Sequence, residues 1–346
     1  MRKTAILFVV LSTIVAGIAF AGGQGEQAAE DEQFEIAMVV KVEGVAWFDN
    51  MRLGIERFNE EHDDVRAWQT GADTADPAAQ VRIVEDLIAQ GVDAILIVPN
   101  DPESLVPVIE RARAQGIVVV THEASNIQNA DFDLEAFDNA EYGAHMASIM
   151  AEWMDGEGLW QPFVGHLTST THNEWVDGEE AFLEENFPDI TLANSRREDE
   201  ENQQLAYERT LEMLRSNDDI KAIMGSAMST APGAAQAIEE LELVGEVAAF
   251  GTCLPSVAGD YIESGAVQSI HFWVPADAGY ASASIAYNLL KGEEITEGMD
   301  LGVSGYESVS IQDNDAGVPV VYGQAWHDVN QDNLDDWRDD DGDWEL

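Results

Sequence analysis

The residues of this chain that could do chemistry stand in short clusters. They are Lys41 to Phe48, Asn100 and Asp101, His122 and Glu123, Thr168 to Asn173, Gly225 to Ser229, and Gly251 to Leu254. Polar side chains and aromatic rings collect there, and Thr171, His172, Ser226 and Met228 are among them. No motif of covalent chemistry accompanies them. The chain lacks a G-x-S-x-G elbow, an H-E-x-x-H pair, a phosphate loop and a dinucleotide fingerprint. Of its seven histidines, only His122 and His172 fall in the clusters. An imidazole there is expected to donate a hydrogen bond rather than a catalytic proton. Binding, not catalysis, is the chemistry these residues suit.

Regular elements must hold the clusters in place. Phe34 to Lys41 (FEIAMVVK) reads as a strand, Trp47 to Glu61 as an amphipathic helix and Val65 to Thr70 as a second strand. Asp76-Pro77 supplies an N-cap and a first-turn proline ahead of Val81, Val84, Leu87 and Ile88 at helical spacing. Ala94 to Val98 is a buried strand, Pro102 to Gln115 a helix and Ile117 to Thr121 another strand. Beyond Asp138 the alternation resumes. Strands are expected at 163–167, 190–193, 222–224, 247–250 and 266–272, and helices at 172–187, 201–216, 230–241 and 276–290. Such alternation implies an α/β fold of two doubly wound parallel-sheet lobes. In open parallel sheets, ligands bind beyond the carboxyl ends of the strands, where helix N-termini point their amides. The clusters occupy those positions.

Composition narrows the setting. Arg2 and Lys3, the apolar run Ala5 to Gly17 and the small-x-small triplet Ala19-Phe20-Ala21 predict a cleaved signal peptide over 1–21, with an uncleaved anchor as the alternative. A flexible acidic leader follows at 22–33. The expected location is periplasmic or otherwise extracytoplasmic. About 325 residues then remain, more than one core usually holds, which again implies two lobes. Cys253 is the only cysteine, so neither an intramolecular disulfide nor a cysteine zinc site is expected. The 67 acidic residues against 16 Lys and Arg leave a formal charge of −51, which opposes nucleic-acid binding. Hydrophobic residues still make up 45%, as in an ordinary globular chain. An acidic, lysine-poor surface around a normal core suggests a high-salt habitat, where screening relieves self-repulsion.

Four stretches, in order, carry a family resemblance: KVEGVAWFDNMRLGIE at 41–56, QGVDAILIVPNDPESL at 90–105, THNEWVDGEEAF at 171–182, and PSVAGDYIESGAVQSIHFWVPADAGYASASIAYNLLKGE at 255–293. They resemble the periplasmic ribose-type sugar-binding proteins, the type I solute-binding proteins of ABC transporters, and within them the rhamnose and autoinducer-2 subgroup. The likeness runs from about Phe34 to Trp337. It implies two lobes joined by a three-crossing hinge, with 34–138 plus about 275–300 in lobe one. Lobe two would hold 139–273 plus about 301–346, the acidic tail included. It also implies a monomer that closes on a sugar and serves an ABC permease, with a chemoreceptor as a further partner.

The resemblance also assigns residues. Lys41 matches the subgroup's ligand-binding lysine. Trp47 and Phe48 occupy its paired-aromatic position, where one ring is expected to face the cleft. Glu123 stands where the family has a ligand-binding aspartate, and Trp273 is a cleft aromatic near the hinge. Asn100 joins the expected ligand-binding set from a strand end. Thr171 and His172 replace an Asp-Gln pair of the autoinducer-2 receptors, and Ser226 and Met228 replace a proline and an alanine. Val274 replaces a polar residue. These departures favour a deoxyhexose or pentose-like sugar over the signal molecule.

Two further readings are weaker. Asp328, Asn330, Asp332, Asp336 and Asp339 have the spacing of a calcium loop, but Asn333 stands at its glycine position. No metal or cofactor is expected. Sugar-responsive repressors share such a two-lobed fold but need a basic DNA-binding helix pair, and this chain has the opposite charge.

Overall fold

Hydrophobic runs flanked by glycine, proline and acidic residues set the element boundaries of this computed structural model, which describes residues 33–339, 341–344 and 346. The expected signal peptide and all but the last residue of the leader lie outside the described residues. In chain order the first elements are β1 (Phe34–Val40), α1 (Ala46–Glu61), β2 (Val65–Gly71), α2 (Pro77–Gln90), β3 (Ala94–Ile97), α3 (Pro102–Ala114), β4 (Val118–His122) and β5 (Phe132–Glu135). Then come α4 (Asn139–Trp153), β6 (Gly158–Val164), α5 (Thr170–Asn186), β7 (Ile190–Leu192), β8 (Arg197–Glu198), α6 (Gln203–Ser216) and β9 (Ile220–Gly225). The chain continues through α7 (Thr230–Glu240), β10 (Ala248–Thr252), α8 (Pro255–Ser264), β11 (Val267–Phe272) and α9 (Pro275–Leu290). Three short strands follow, β12 (Ser310–Asp313), β13 (Pro319–Tyr322) and β14 (His327–Asn330).

Two sheets result. The first has the order β12-β13-β5-β4-β3-β1-β2, and the second β14-β11-β10-β9-β6-β7 with β8 also paired to β6. The period-two alternation of side chains divides the first lobe's core. Ile36, Met38, Val40 and Leu96 face one way, onto α1 and α9, while Ala37, Val39, Ile95 and Ile97 face the other, onto α2 and α3. Helices α1 and α9 lie so close that a Cβ on Gly54 would fall 1.8 Å from the Ala276 carbonyl oxygen. Asp76 caps α2 as expected, accepting from the Ala78 and Ala79 amides at 2.8 and 3.2 Å, with Pro77 in the first turn. Such a cap contributes about 1 kcal/mol.

The chain passes between the sheets three times: after β5 through Ala136–Asp138, after β11 through Trp273–Val274, and after β13 through Gly323–Trp326. One aromatic from each crossing meets the next. Phe137 stands edge-on to Trp273 at 5.4 Å and to Trp326 at 5.4 Å. The α/β architecture is therefore that of two lobes of mostly parallel sheet with a three-crossing hinge.

Several expectations need correction. Residues after about 301 do not all join lobe two: β12 and β13 extend the first sheet, and only β14 adds to the second. The sheets are not wholly parallel either, because β12 with β13 and β11 with β14 pair antiparallel. The strand expected at 163–167 is β6, which begins at Gly158. Gln161 and Pro162 interrupt its apolar pattern, yet they sit between the stretches paired to β7 and β8. At that gap the Gln161 side chain donates to Ser195 O at 2.9 Å, and the missing proline N–H costs no ladder bond on that edge.

Candidate functional site

Lys41 follows β1 directly, and the elements beneath it are tied together. Its carbonyl accepts from Asn100 Nδ2 at 3.0 Å, while Gln80 on α2 accepts the Asn100 amide at 2.9 Å and donates to Val98 O at 2.8 Å. From this base Lys41 Nζ donates to Glu123 Oε2 at 2.5 Å and lies 3.9 Å from Glu201 Oε1. Burial alone would lower the lysine pKa, but Glu123 and Glu201 outweigh it and raise it, so the ammonium persists. Glu123 takes φ +60°, a left-handed turn after β4 that side chains other than glycine's rarely adopt.

Lobe two supplies the facing wall. His172, in the first turn of α5, faces the Gly165 amide with Nδ1 at 3.2 Å and the Lys41 ammonium with Nε2 at 3.4 Å. Burial, with Lys41 3.4 Å from that Nε2, holds His172 well below the ordinary histidine range. The ring is neutral, with one nitrogen accepting and the other carrying the proton. Glu201, between β8 and α6 at φ +55°, is pushed up by burial against the pull of Lys41. A Cβ at residue 165 would fall 2.3 Å from Glu201 Oε1 and 3.2 Å from His172 Cε1, so glycine there makes room for both. Ser226 Oγ donates to His172 O at 3.2 Å.

These groups line a cavity of about 250 Å³ between the lobes, at the carboxyl ends of both sets of strands. Trp47, Phe48, Trp175 and Trp273 form its aromatic wall, with Trp47 and Trp273 edge-to-face at 4.6 Å. The lobes touch around it: Ser125 Oγ donates to Glu174 Oε1 at 2.5 Å, Thr170 Oγ1 to Asn126 Oδ1 at 2.8 Å, and Thr168 Oγ1 to Asn100 O at 3.2 Å. The arrangement offers carboxylates, an ammonium, an imidazole and hydroxyls to a small polar molecule, and flat rings to its apolar faces.

Of the residues expected from sequence, Lys41, Trp47, Phe48, Glu123, His172, Ser226, Met228 and Trp273 line this cavity. Both Trp47 and Phe48 face it, where one was expected. Asn100 and Thr171 stand behind the wall instead. Asn100 Nδ2 is engaged by the Lys41 carbonyl, leaving its Oδ1 buried without a partner, and Thr171 Oγ1 donates to Glu135 Oε1 at 3.1 Å. Sequence reasoning missed Trp175, Glu201 and Gln203, while Ser229 and Thr252 lay in the strand-end clusters but were given no role. Trp175 lies inside the quoted 171–182 stretch, one helical turn after His172. Glu201 follows a strand of two residues, too short for any pattern to mark. The acidic tail does not gather as a loop: Asp328 turns to His145 and His271, Asn330 Oδ1 accepts the Asp332 amide, and Asp339 Oδ1 accepts the Asp341 and Asp343 amides.

A two-lobed α/β protein with a three-crossing hinge, holding a small polar-and-aromatic cavity where its strand ends face each other, is built to close around a solute. Residues 36–294 match the family described as the periplasmic binding protein domain, and this chain belongs to that family. It is 28% identical over 242 residues to the D-ribose/D-allose-binding protein of Pseudomonas aeruginosa, covering 65% of this chain and 72% of that protein. In fold it is similar to an ABC transporter solute-binding protein from Clostridium phytofermentas with bound L-rhamnose (TM-score 0.81, 21% identity, 88% of this chain and 98% of that one). It is likewise similar to LsrB from Clostridium saccharobutylicum in complex with AI-2 (TM-score 0.80, 18% identity, 88% and 100%).

Proposed function

We propose that this protein is an extracytoplasmic solute-binding protein that captures one small neutral sugar, of deoxyhexose or pentose type, for an ABC importer. The observation that carries the reading is the composition of the closed cavity wall. Four aromatic side chains stand there with Lys41, Glu123, His172 and Glu201, contributed by strand ends, the loops that follow them and the first two turns of helices. Two polar atoms of that wall, Glu201 Oε1 and Trp273 Nε1, are buried without a hydrogen-bond partner. A hydroxyl-bearing ligand would satisfy both, and leaving such groups unpaired costs about 1–3 kcal/mol each. The cavity is below the ~300–1,000 Å³ of drug-sized sites, which suits a single ring. Two carboxylates against one ammonium disfavour an anionic ligand such as a sugar phosphate.

The mechanism follows from contacts made by both lobes. Lys41 and Glu123 belong to lobe one, His172, Glu201 and Ser226 to lobe two, so a ligand touching both sets favours the closed form. The importer would recognise that closed surface, and a chemoreceptor could read the same surface. The family match and the relatives' sugar- and solute-binding names support an extracytoplasmic binding protein, for which a monomer is the expected state. A second reading, an autoinducer-2-type signal receptor, draws on the AI-2-bound fold neighbour. Met228 on the cavity wall and His172 in place of an amide weigh against it.

The test is thermal shift of the mature protein in high salt against rhamnose, ribose, other pentoses and hexoses, and autoinducer-2. A sugar at a hundred times its dissociation constant stabilises by about 2.7 kcal/mol, a shift of several degrees. A shift with autoinducer-2 alone would replace the sugar reading, and a flat response across the panel in folded protein would overturn both.

A further inference from the structure

Away from the cavity, on the far side of the hinge, two imidazoles converge on one carboxylate. His145 lies on α4, His271 on β11 and Asp328 on β14, where residues 271 and 328 are direct antiparallel partners. His145 Nε2 is 2.8 Å from Asp328 Oδ2, and His271 Nδ1 is 2.7 Å from Asp328 Oδ1. One ligating atom from each of the three lies within 4.8 Å of the other two. His271 is fully buried, while His145 and Asp328 side chains are 32% and 36% exposed, so the cluster opens to solvent on one side.

We propose that His145, His271 and Asp328 form a binding site for a divalent transition-metal ion of the zinc class. Two imidazoles and a carboxylate with one open side are the donor set of a three-ligand site completed by water. Imidazole nitrogen selects zinc, nickel or copper over calcium and magnesium. A tetrahedral ion with bonds of ~2.0–2.1 Å spaces its ligands about 3.3 Å apart. The two His–Asp328 contacts of 2.8 and 2.7 Å would open by about half an ångström, and the three ligating atoms, already within 4.8 Å of one another, would gather around the ion. The proton balance also works. In the metal-free protein each ring donates an N–H to Asp328, and on binding each neutral ring moves that proton to its other nitrogen. For His271 that nitrogen is Nε2, and it already faces Ser269 Oγ at 3.0 Å as a ready acceptor. A hydrogen-bonded outer partner of this kind is what orients metal-ligating histidines.

The position gives the ion a structural consequence. His145 stacks on Trp326 at 5.5 Å and 17°, and Trp326 is the last residue of the third crossing. Asp328 is two residues further along. A bound ion would hold the exit of that crossing to α4 and β11.

The experiment is titration calorimetry of Zn²⁺ into untagged mature protein, in high salt with excess Mg²⁺ to occupy the acidic surface. One equivalent binding with a dissociation constant in the micromolar range or tighter is expected, and Co²⁺ in its place should give a visible absorption band. His145→Ala, at a part-exposed position that leaves the core intact, should weaken binding at least tenfold, and Asp328→Asn should do the same. Absence of a saturable site, or equal affinity in wild type and His145→Ala, would show that Asp328 merely bridges two histidines.

Discussion

Lys41 and Glu123 form a buried ion pair across β3, with Nζ 2.5 Å from Oε2 and each side chain 3% exposed. The pair sits at the strand ends of lobe one and faces Glu201 and His172 of lobe two. On the proposed reading the pair serves ligand capture more than stability. Breaking such a pair from one side costs about 3–5 kcal/mol, whereas replacing both partners by apolar residues is often neutral. Glu123→Ala should therefore lower stability towards the small end of that range, because Glu201 partly compensates Lys41. The double variant Lys41→Met/Glu123→Leu should recover the unfolding midpoint but not sugar binding. Denaturant unfolding and calorimetry on the three proteins separate the two effects, and recovery of binding in the double variant would remove the pair from the site.

Gly165 makes a second prediction. An alanine Cβ there meets the far end of the flexible Glu201 side chain and the edge of His172, not backbone. Gly165→Ala should weaken ligand binding at least tenfold while moving the melting temperature only slightly. Unchanged affinity would mean that Glu201 and His172 do not touch the ligand.

Stability should depend on pH on the alkaline side. Burial raises Glu179 to about 8 and Asp133 and Asp199 to about 7. Their ordinary values lie near 4, so between pH ~4 and ~8 the folded state holds more protons than the unfolded one, and stability falls as pH rises. Burial lowers His122, His172 and His271, which acts oppositely below about pH 6.5, where the unfolded chain binds more protons. From pH 6.5 to 8 the raised carboxylates act, and His145, raised by its hydrogen bond to Asp328, acts in the same direction. The unfolding midpoint should fall over that interval, and Glu179→Gln should flatten the slope. A midpoint that rises with pH in this window would contradict the burial of these groups.

The charge of −51 yields the last prediction. Salt shortens the reach of surface repulsion to ~8–10 Å near physiological strength and ~3 Å at 1 M. The melting temperature should climb steeply between 0.1 and 2 M KCl, whereas a flat profile would argue against a high-salt habitat.

Most of the architecture could be read from residue order alone. Runs such as Ala94–Ile97 and Val118–His122 are hydrophobic on both faces because helices cover both, and Asp76-Pro77 announces a helix start through local backbone chemistry. These signals act within a few residues, so one sequence contains them. The strand-end rule likewise placed Lys41, Trp47, Phe48, Glu123, His172, Ser226 and Met228 where the cavity wall is found. Short strands escaped this reading. β5, β12, β13 and β14 have four residues each, and what decides their sheet is pairing with distant segments, not their own pattern. That is why the chain after residue 301 divides between the lobes.

Tertiary structure alone decided which side chains meet. Glu123 lies 82 residues from Lys41, yet their pairing is what keeps a lysine charged in the interior. Glu201 enters the cavity through a left-handed turn after a two-residue strand, in space that a glycine 36 positions earlier leaves open. Asn100 and Thr171 bear the right chemistry at the right strand ends, but the Asn100 Nδ2 donor and the Thr171 hydroxyl are bound to Lys41 and Glu135 behind the wall. Local sequence determines what a residue can do and which element carries it. The direction a side chain faces depends on packing between segments far apart in the chain, and only the folded arrangement contains that information.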